Sequence, residues 1–117
     1  MVNRLTLAGD RIRDAINTGE FGSDVISSAG TVVVVMTQDW CPQWLNMKKW
    51  IYEHETGKTV DIYELIYNRE PYFKEFMSFK ENIWNNQSVP YLRFYENGSL
   101  VRETNYISRS EFAGIIG

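Results

Sequence analysis

The residue best suited to take part in a chemical reaction is Cys41, the only cysteine in the chain. It precedes Pro42, and a proline there favours the first position of a helix, which makes Cys41 the predicted N-cap. A sulfur at an N-cap faces unpaired backbone N–H groups and the positive end of the helix dipole. Both stabilise the thiolate, the nucleophilic form of cysteine. We therefore predict a solvent-accessible, nucleophilic sulfur at Cys41 rather than a buried, inert one.

A single thiol limits the chemistry that this chain can do. No disulfide can form within it, and a structural zinc site built from several cysteines is excluded, since His54 is also the only histidine. Any reaction of Cys41 is monothiol chemistry, or it uses a second thiol from another molecule. We expect no cofactor and no metal.

Aromatic and proline residues provide candidates for binding near that sulfur. Trp40 and Trp44 flank Cys41, and apolar rings exposed beside a reactive group suggest docking of a partner. Further along, Pro90 opens a predicted strand, a place where proline is tolerated. The candidate binding residues are Trp40, Pro42, Trp44, Val89, Pro90 and Tyr91.

The elements that must position these residues follow from periodicity. Thr31–Met36 is a β-branched, apolar run, which is typical of a central strand buried on both faces. A helix is predicted from Pro42 to about Glu55, with Gly57 as its C-cap. Its apolar stripe is Trp44, Met47 and Ile51, and Trp50 is predicted to be core. The other predicted elements are a short strand at Leu5 and Leu7, helices over 11–16 (capped by Asp10) and 21–29, a strand over 59–65, a helix opening near Pro71, strands over 91–95 and 99–103 joined by Asn97-Gly98, and a helix over 111–116 capped by Ser108 or Ser110.

Strands that alternate with helices predict a parallel sheet, and the closing hairpin adds an antiparallel edge. The predicted fold class is therefore α/β: a three-layer sandwich in which helices flank a mixed sheet of about four or five strands. A length of 117 residues suits one domain over residues 1–117.

Composition narrows the choice of partners and location. The net charge is −3 and no cluster of lysines and arginines occurs, so neither nucleic acid nor an anionic membrane surface is an expected partner. The longest apolar run, Val32–Met36, is far shorter than the roughly 20 residues of a membrane span. The first ten residues lack the apolar region of a secretory signal, which predicts a cytoplasmic location.

Two segments resemble the thioredoxin family. FGSDVISSAG followed by TVVVVM and DWC resembles its first helix, central strand and active-site turn, and VPYLRFYENG resembles its cis-proline loop, fourth strand and hairpin. The family's WCGPC corresponds to Trp40-Cys41-Pro42-Gln43-Trp44. The resemblance runs from about Phe21 to the C-terminus and implies a thioredoxin-like fold. It also implies that Cys41 is the attacking cysteine and that Pro90 is cis and packs against it.

The sequence departs from the family's pattern at the active site. Trp44 stands where the family has its resolving cysteine, and Val35 where it has a buried aspartate. Thr37 and Lys49 replace the tryptophan of the active-site turn and the proline of the active-site helix. Pro42-Gln43-Trp44 does not match the monothiol glutaredoxins either, so an iron–sulfur cluster is not expected.

Two functions from different classes remain open. In the first, the protein is an enzyme, a thioredoxin-like monothiol thiol–disulfide oxidoreductase of cell redox homeostasis. Cys41 would attack a protein disulfide or a glutathionylated protein, and glutathione or another small thiol would resolve the product. In the second, it is a non-catalytic binding module that uses the Trp40, Trp44 and Pro90 surface. A peptide segment of a partner protein would then pair with the backbone at Val89.

Overall fold

The computed structural model describes residues 1–117, with eleven regular elements in chain order. The strands are β1 (Val2–Thr6), β2 (Thr31–Thr37), β3 (Val60–Ile66), β4 (Tyr91–Glu96) and β5 (Ser99–Thr104). The helices are α1 (Gly9–Thr18), α2 (Ser23–Ile26), α3 (Pro42–Met47), α4 (Phe73–Asn82) and α5 (Arg109–Ile116), with a 3-10 turn at Tyr67–Arg69.

The strands form one mixed sheet in the order β1-β3-β2-β4-β5. β3 pairs parallel with both β1 and β2, whereas β4 pairs antiparallel with β2 and with β5. The predicted α/β class and the antiparallel edge are confirmed. None of the helices combines the length and the apolar character that crossing a bilayer requires.

Strand β2 is the centre of the sheet, and all seven of its residues are buried. Its β-branched side chains suit a pleated strand better than a helix, because branching at Cβ restricts χ1. Val33 and Val35 pack on the face covered by α3 and α5. Val32 and Val34 pack on the opposite face, against α1, α2 and α4. The prediction of a strand buried on both faces is therefore confirmed.

The tight turn at Asn97-Gly98 joins β4 to β5. Asn97 has a φ of 50° and Gly98 a φ of 80°, the left-handed conformations that a two-residue hairpin turn requires. Asparagine and glycine are the residues that adopt these conformations at least cost, so the hairpin could be predicted from Asn97 and Gly98 alone.

The helix after Cys41 is shorter than predicted, because α3 ends at Met47 and not near Glu55. Beyond Met47 most backbone hydrogen bonds join residues three apart, such as the bond from the Trp50 N–H to the Met47 carbonyl (3.0 Å). These tight turns keep Ile51 buried, so the predicted apolar stripe holds without a regular helix beneath it. Trp50 is only partly buried at the edge of this core. Gly57 consequently caps no helix.

Two helix starts were distinguished only by the structure. The N-cap of α1 is Ala8 rather than Asp10, whose carboxylate lies in the first turn and accepts a bond from the Arg11 N–H (3.0 Å). Of the two serines proposed for α5, Ser108 is the N-cap and forms a capping box with Glu111.

Candidate functional site

Cys41 lies at the junction that the sequence predicts, as the N-cap of α3 with Pro42 at the first helical position. Its φ of −71° and ψ of 110° are extended, and its carbonyl accepts the first helical bond, from the Leu45 N–H (3.1 Å). The Cys41 N–H donates to the Gln38 carbonyl (3.2 Å), which closes the turn after β2. The end of a buried strand and the start of a helix together hold the sulfur in place.

The sulfur of Cys41 contacts the loop before β4. The thiol donates to the Val89 carbonyl, with 3.6 Å between sulfur and oxygen. The Val89–Pro90 peptide bond is cis. Two segments 48 residues apart in sequence therefore meet at the Cys41 sulfur, and the cis bond before Pro90 is the one that the resemblance implies.

The expectation of an open sulfur is wrong, because Cys41 is only 2% exposed. The reason is that its side chain is turned down toward the Val89 carbonyl and packs in the core cluster that contains Val35 and Trp44. Cys41 nevertheless lines an open groove of about 450 Å³. The other residues that line this groove are Trp40, Pro42, Gln43, Gln87, Ser88 and Val89.

The two tryptophans beside Cys41 have opposite environments. Trp40 is 61% exposed at the edge of the groove, as expected. Trp44 is 1% exposed and packs on the side of α3 that faces the sheet. A residue three positions into the helix returns to the side that faces the sheet, and burial of a ring this large is strongly favourable. The predicted place of Trp44 in a docking surface is therefore wrong.

Pro90 and Tyr91 were also predicted to contribute binding surface, and both are buried. Tyr91 begins β4 and points to the sheet face opposite Cys41, where its ring centroid lies 5.9 Å from that of Trp84. Pro90 does not line the groove. Of the candidate binding residues, Trp40, Pro42 and Val89 remain at the groove.

The turn that carries Trp40 is tied to the 3-10 turn by a polar cluster that the sequence did not reveal. The Asp39 N–H donates to Asn68 Oδ1 (3.0 Å), and Asn68 Nδ2 donates to Asp39 Oδ1 (2.7 Å). Arg69 Nε lies 3.0 Å from Asp39 Oδ2. The hydrogen bonds from Asn68 and Arg69 lower the pKa of Asp39, so its charge persists beside the groove.

The exposed ring of Trp40 is held in one orientation. Its Nε1 donates to Gln38 Oε1 (2.6 Å), and Gln38 Nε2 donates to the Tyr67 hydroxyl (3.2 Å). Tyr67 is itself buried in the core. A ring that is ordered before binding loses less conformational entropy when a partner covers it.

The position of the family's buried acid, Val35, is fully apolar and 0% exposed. The nearest register neighbour on β3 is Glu64, whose side chain is 12% exposed rather than fully solvated. Glu64 accepts from the Tyr52 hydroxyl (2.6 Å) and pairs with Arg4 (2.9 Å). Its carboxylate is occupied by these partners.

The loop that carries Val89 is held by Asn105, which follows β5. Asn105 Nδ2 donates to the Pro90 carbonyl (3.0 Å) and to Asn86 Oδ1 (3.0 Å), and Asn86 Nδ2 donates to Asn105 Oδ1 (3.1 Å). The buried side chain of Lys80 reaches the same loop from α4. No group of three or more histidine, cysteine, aspartate or glutamate side chains is placed to hold a metal ion.

Comparison with protein-family models gives no match, and neither does comparison with curated protein sequences. Comparison with solved structures gives many matches. A mutant thioredoxin from Halobacterium salinarum has a TM-score of 0.66 at 16% identity, covering 97% of this chain and 88% of that one. Thioredoxin O1 from Arabidopsis thaliana in the oxidised state has a TM-score of 0.66 at 18% identity, with coverages of 97% and 94%. The short form of thioredoxin F from spinach chloroplast has a TM-score of 0.63 at 16% identity, with coverages of 97% and 89%. The chain therefore has the thioredoxin fold.

Proposed function

We propose that this protein carries out monothiol thiol–disulfide exchange through Cys41. The observation that carries the proposal is the position of the sulfur, at the N-cap of α3 and against the Val89 carbonyl beside Pro90. The groove that Cys41 lines gives a substrate access to the sulfur. The fold shared with thioredoxins supports the same role.

The reaction takes two exchange steps. The Cys41 thiol gives its proton to solvent, and the thiolate attacks the glutathione sulfur of a glutathionylated protein. A bond forms between Cys41 and glutathione as the substrate's S–S bond breaks, and the substrate sulfur leaves as a thiolate that takes up a proton. A second glutathione thiolate then attacks the Cys41–glutathione disulfide. It releases oxidised glutathione and restores Cys41.

An external thiol is required because the chain has no second cysteine. Trp44 fills the place of a resolving cysteine with a buried ring, so no partner sulfur could reach Cys41 from within α3. The proposal therefore places the protein in a compartment that is rich in reduced glutathione or a similar small thiol, such as the cytoplasm.

The burial of Cys41 restricts which substrates can react. A disulfide must enter the groove between Trp40 and Ser88 and meet the sulfur end-on, with the Val89 carbonyl giving up its bond to the thiol. Extended and flexible segments satisfy this requirement, and a disulfide within a rigid surface does not. We propose a glutathionylated or disulfide-linked peptide segment as the substrate class.

The test uses the unmodified protein with a glutathionylated peptide and, in a second step, reduced glutathione. Mass spectrometry of the native protein is expected to detect a Cys41–glutathione adduct that reduced glutathione removes. The Cys41→Ser variant should release no peptide thiol above the uncatalysed rate. If the native protein acquires no adduct while the urea-unfolded chain reacts readily, catalysis by Cys41 is ruled out.

A second candidate function is a non-catalytic binding module, and the exposures at the site favour it. Cys41 is 2% exposed while its neighbour Trp40 is 61% exposed and held in one orientation. The N–H of Val89 takes part in no hydrogen bond within the protein, so it is free to pair with an added strand. Here the groove would bind a peptide segment without reacting with it.

Peptides selected from a random library on the unmodified protein separate the two functions. If binding survives Cys41→Ser and is lost in Trp40→Ala, the groove acts as a binding site independently of the sulfur. If the selected peptides all contain cysteine and Cys41→Ser abolishes binding, exchange chemistry is favoured. If neither change matters, the groove is not the binding site.

A further inference from the structure

Lys80 carries the most deeply buried charge in the molecule. It lies near the end of α4 and is 1% exposed, the lowest value among the charged residues. A lysine is almost never buried this far without a partner, because removing an ammonium group from water is costly. Its acceptors are two backbone carbonyls: Nζ donates to that of Asn86 (2.9 Å) and that of Ser88 (2.8 Å).

Those carbonyls belong to the loop that faces Cys41. Asn85, with a φ of 53°, turns the chain at the end of α4, and the loop then runs to the carbonyl of Val89 that accepts from Cys41. Ser88 and Val89 line the groove on one side while Lys80 holds the Ser88 carbonyl from beneath. Lys80 is therefore connected to the sulfur through two hydrogen bonds, one to the Ser88 carbonyl and one from Cys41 to the Val89 carbonyl.

Packing alone does not account for a lysine here. Methionine would fill similar space beside the Tyr91 ring, which lies 5.5 Å from Nζ, without the cost of desolvating a charge. The ammonium supplies what an apolar chain cannot, namely N–H donors for two inward-turned carbonyls. Without those donors the Asn86 carbonyl would lose its partner and the Ser88 carbonyl would keep only the bond from Asn105 Nδ2 (3.3 Å), which would favour opening of the loop.

We propose that Lys80 is a positioning residue for the groove: its buried amine holds the Asn86 and Ser88 carbonyls and thereby keeps the Val89 carbonyl against the Cys41 sulfur. It is not a catalytic residue, because it acts through the loop and does not touch the sulfur. The inference deepens the proposed function, since it concerns the shape of the same site. The contact network that carries it holds equally for a groove that only binds.

The experiment measures how often the loop opens, using iodoacetamide as a small neutral probe of Cys41 in the native protein at one fixed pH. In Lys80→Met we expect alkylation about tenfold faster, the size expected when hydrogen bonds to a charged group are lost from a local opening. Lys80→Arg restores the donors and should react at close to the unmodified rate. Lys74→Met, an exposed lysine on the same helix, is the matched control and should have no effect.

Several outcomes would overturn the proposal. They are equal rates in Lys80→Met and the unmodified protein, or Lys80→Arg reacting as fast as Lys80→Met. Amide hydrogen exchange gives a third: if Lys80→Met accelerates exchange as much in β2 as at Asn86 and Ser88, the effect is global unfolding and Lys80 does not position the loop. If Lys80→Met does not fold, Lys80→Leu, which also lacks N–H donors, takes its place, and an unchanged alkylation rate there has the same meaning.

This test is independent of disulfide exchange. Alkylation needs no disulfide substrate and no resolving thiol, so a protein that fails to exchange with glutathionylated peptide can still show the Lys80 effect. Conversely, active exchange with no change in Lys80→Met would support the reaction and reject this role for Lys80.

Discussion

Cys41 and Trp44 lie one helical turn apart at the start of α3, and both side chains are buried in one cluster. The sulfur ends against a backbone carbonyl at the groove, whereas the indole ring continues into the core beneath Val35. One helical turn therefore separates a side chain that lines the groove from one that packs entirely in the core.

Trp44→Ala tests this support. We expect the free energy of unfolding to fall by about 3–5 kcal/mol, the cost of truncating a large buried ring and leaving a cavity. Trp40→Ala is the matched control and should change stability by no more than about 0.5 kcal/mol, because that ring is largely exposed. Denaturant unfolding measures both. Similar losses in the two variants would contradict the buried position of Trp44.

Lys80 makes a second prediction at the residue scale, concerning pH. Burial lowers the pKa of Lys80 to about 8, and the negative charge of Glu81 on the same helix opposes this shift. The ring of Tyr91 on β4 packs against Lys80, and the Tyr91 hydroxyl is hydrogen-bonded to Arg93 and Glu103. Between about pH 8 and Lys80's ordinary value, the unfolded chain binds the proton that the folded chain has released. The Lys80 contribution to stability therefore rises with pH across this window.

The measurement is denaturant unfolding of the unmodified protein and of Lys80→Met between pH 7 and 10. The stability difference should move in favour of the unmodified protein by an amount of the order of 2 kcal/mol as the pH rises. Subtracting the stability of Lys80→Met from that of the unmodified protein cancels the titration of the groups that the two proteins share. A flat difference would show that Lys80 keeps an ordinary pKa, and a difference that shifts the other way would show that its pKa is raised.

At the scale of elements, short helices are made stable by their ends and by one buried face. Helix α5 has eight residues, with Phe112 and Ile116 buried against the sheet. At its start Ser108 Oγ accepts from the Glu111 N–H (3.2 Å), and Glu111 Oε1 accepts from the Ser108 N–H (3.4 Å). Two backbone donors at the helix start are thereby satisfied.

Loss of this cap should be measurable. Ser108→Ala is expected to lower the free energy of unfolding by about 1 kcal/mol, the usual cost of removing a serine N-cap. Ser110→Ala, two residues on and exposed, should stay within about 0.5 kcal/mol of the unmodified protein. If chemical denaturation finds the larger loss in Ser110→Ala, the helix begins two residues later than described.

At the scale of the whole molecule, a second buried charge joins segments distant in sequence. Arg93 of β4 is 4% exposed, and its guanidinium pairs with Glu20 (2.6 Å), which precedes α2. It also donates to the hydroxyls of Tyr91 and Tyr95 (2.8 Å each) and lies 4.1 Å from the ring centroid of Trp84. This network ties the sheet to the helical layer opposite the groove.

Arg93→Ala should be among the most destabilising single changes. Removing the guanidinium leaves the Glu20 carboxylate without its cation and two tyrosine hydroxyls without their N–H donor, so we expect a loss of about 3–5 kcal/mol. Arg102→Ala, on the exposed face of β5, serves as control and should cost less than about 0.5 kcal/mol. Thermal and denaturant unfolding measure the stability of the two variants. A small loss in Arg93→Ala would show that the network contributes little to stability.

The sequence by itself determined the order of the elements, the central strand, the hairpin and the place of Cys41 at a helix start. Each of these depends on residues close together in the chain, such as the β-branched run of β2, Cys41-Pro42 and Asn97-Gly98. Local sterics and hydrogen-bonding capacity decide them, and both can be read from the residue types.

Only the tertiary structure decided which of the candidate side chains reach the surface. Cys41 is covered because its sulfur bonds a carbonyl 48 residues away, and Tyr91 because its strand turns it to the face opposite the groove. No sequence pattern pointed to Lys80, because its proposed role depends on a loop that folds back over it. Burial is a sum over contacts from distant segments, and no local pattern of residues contains that sum.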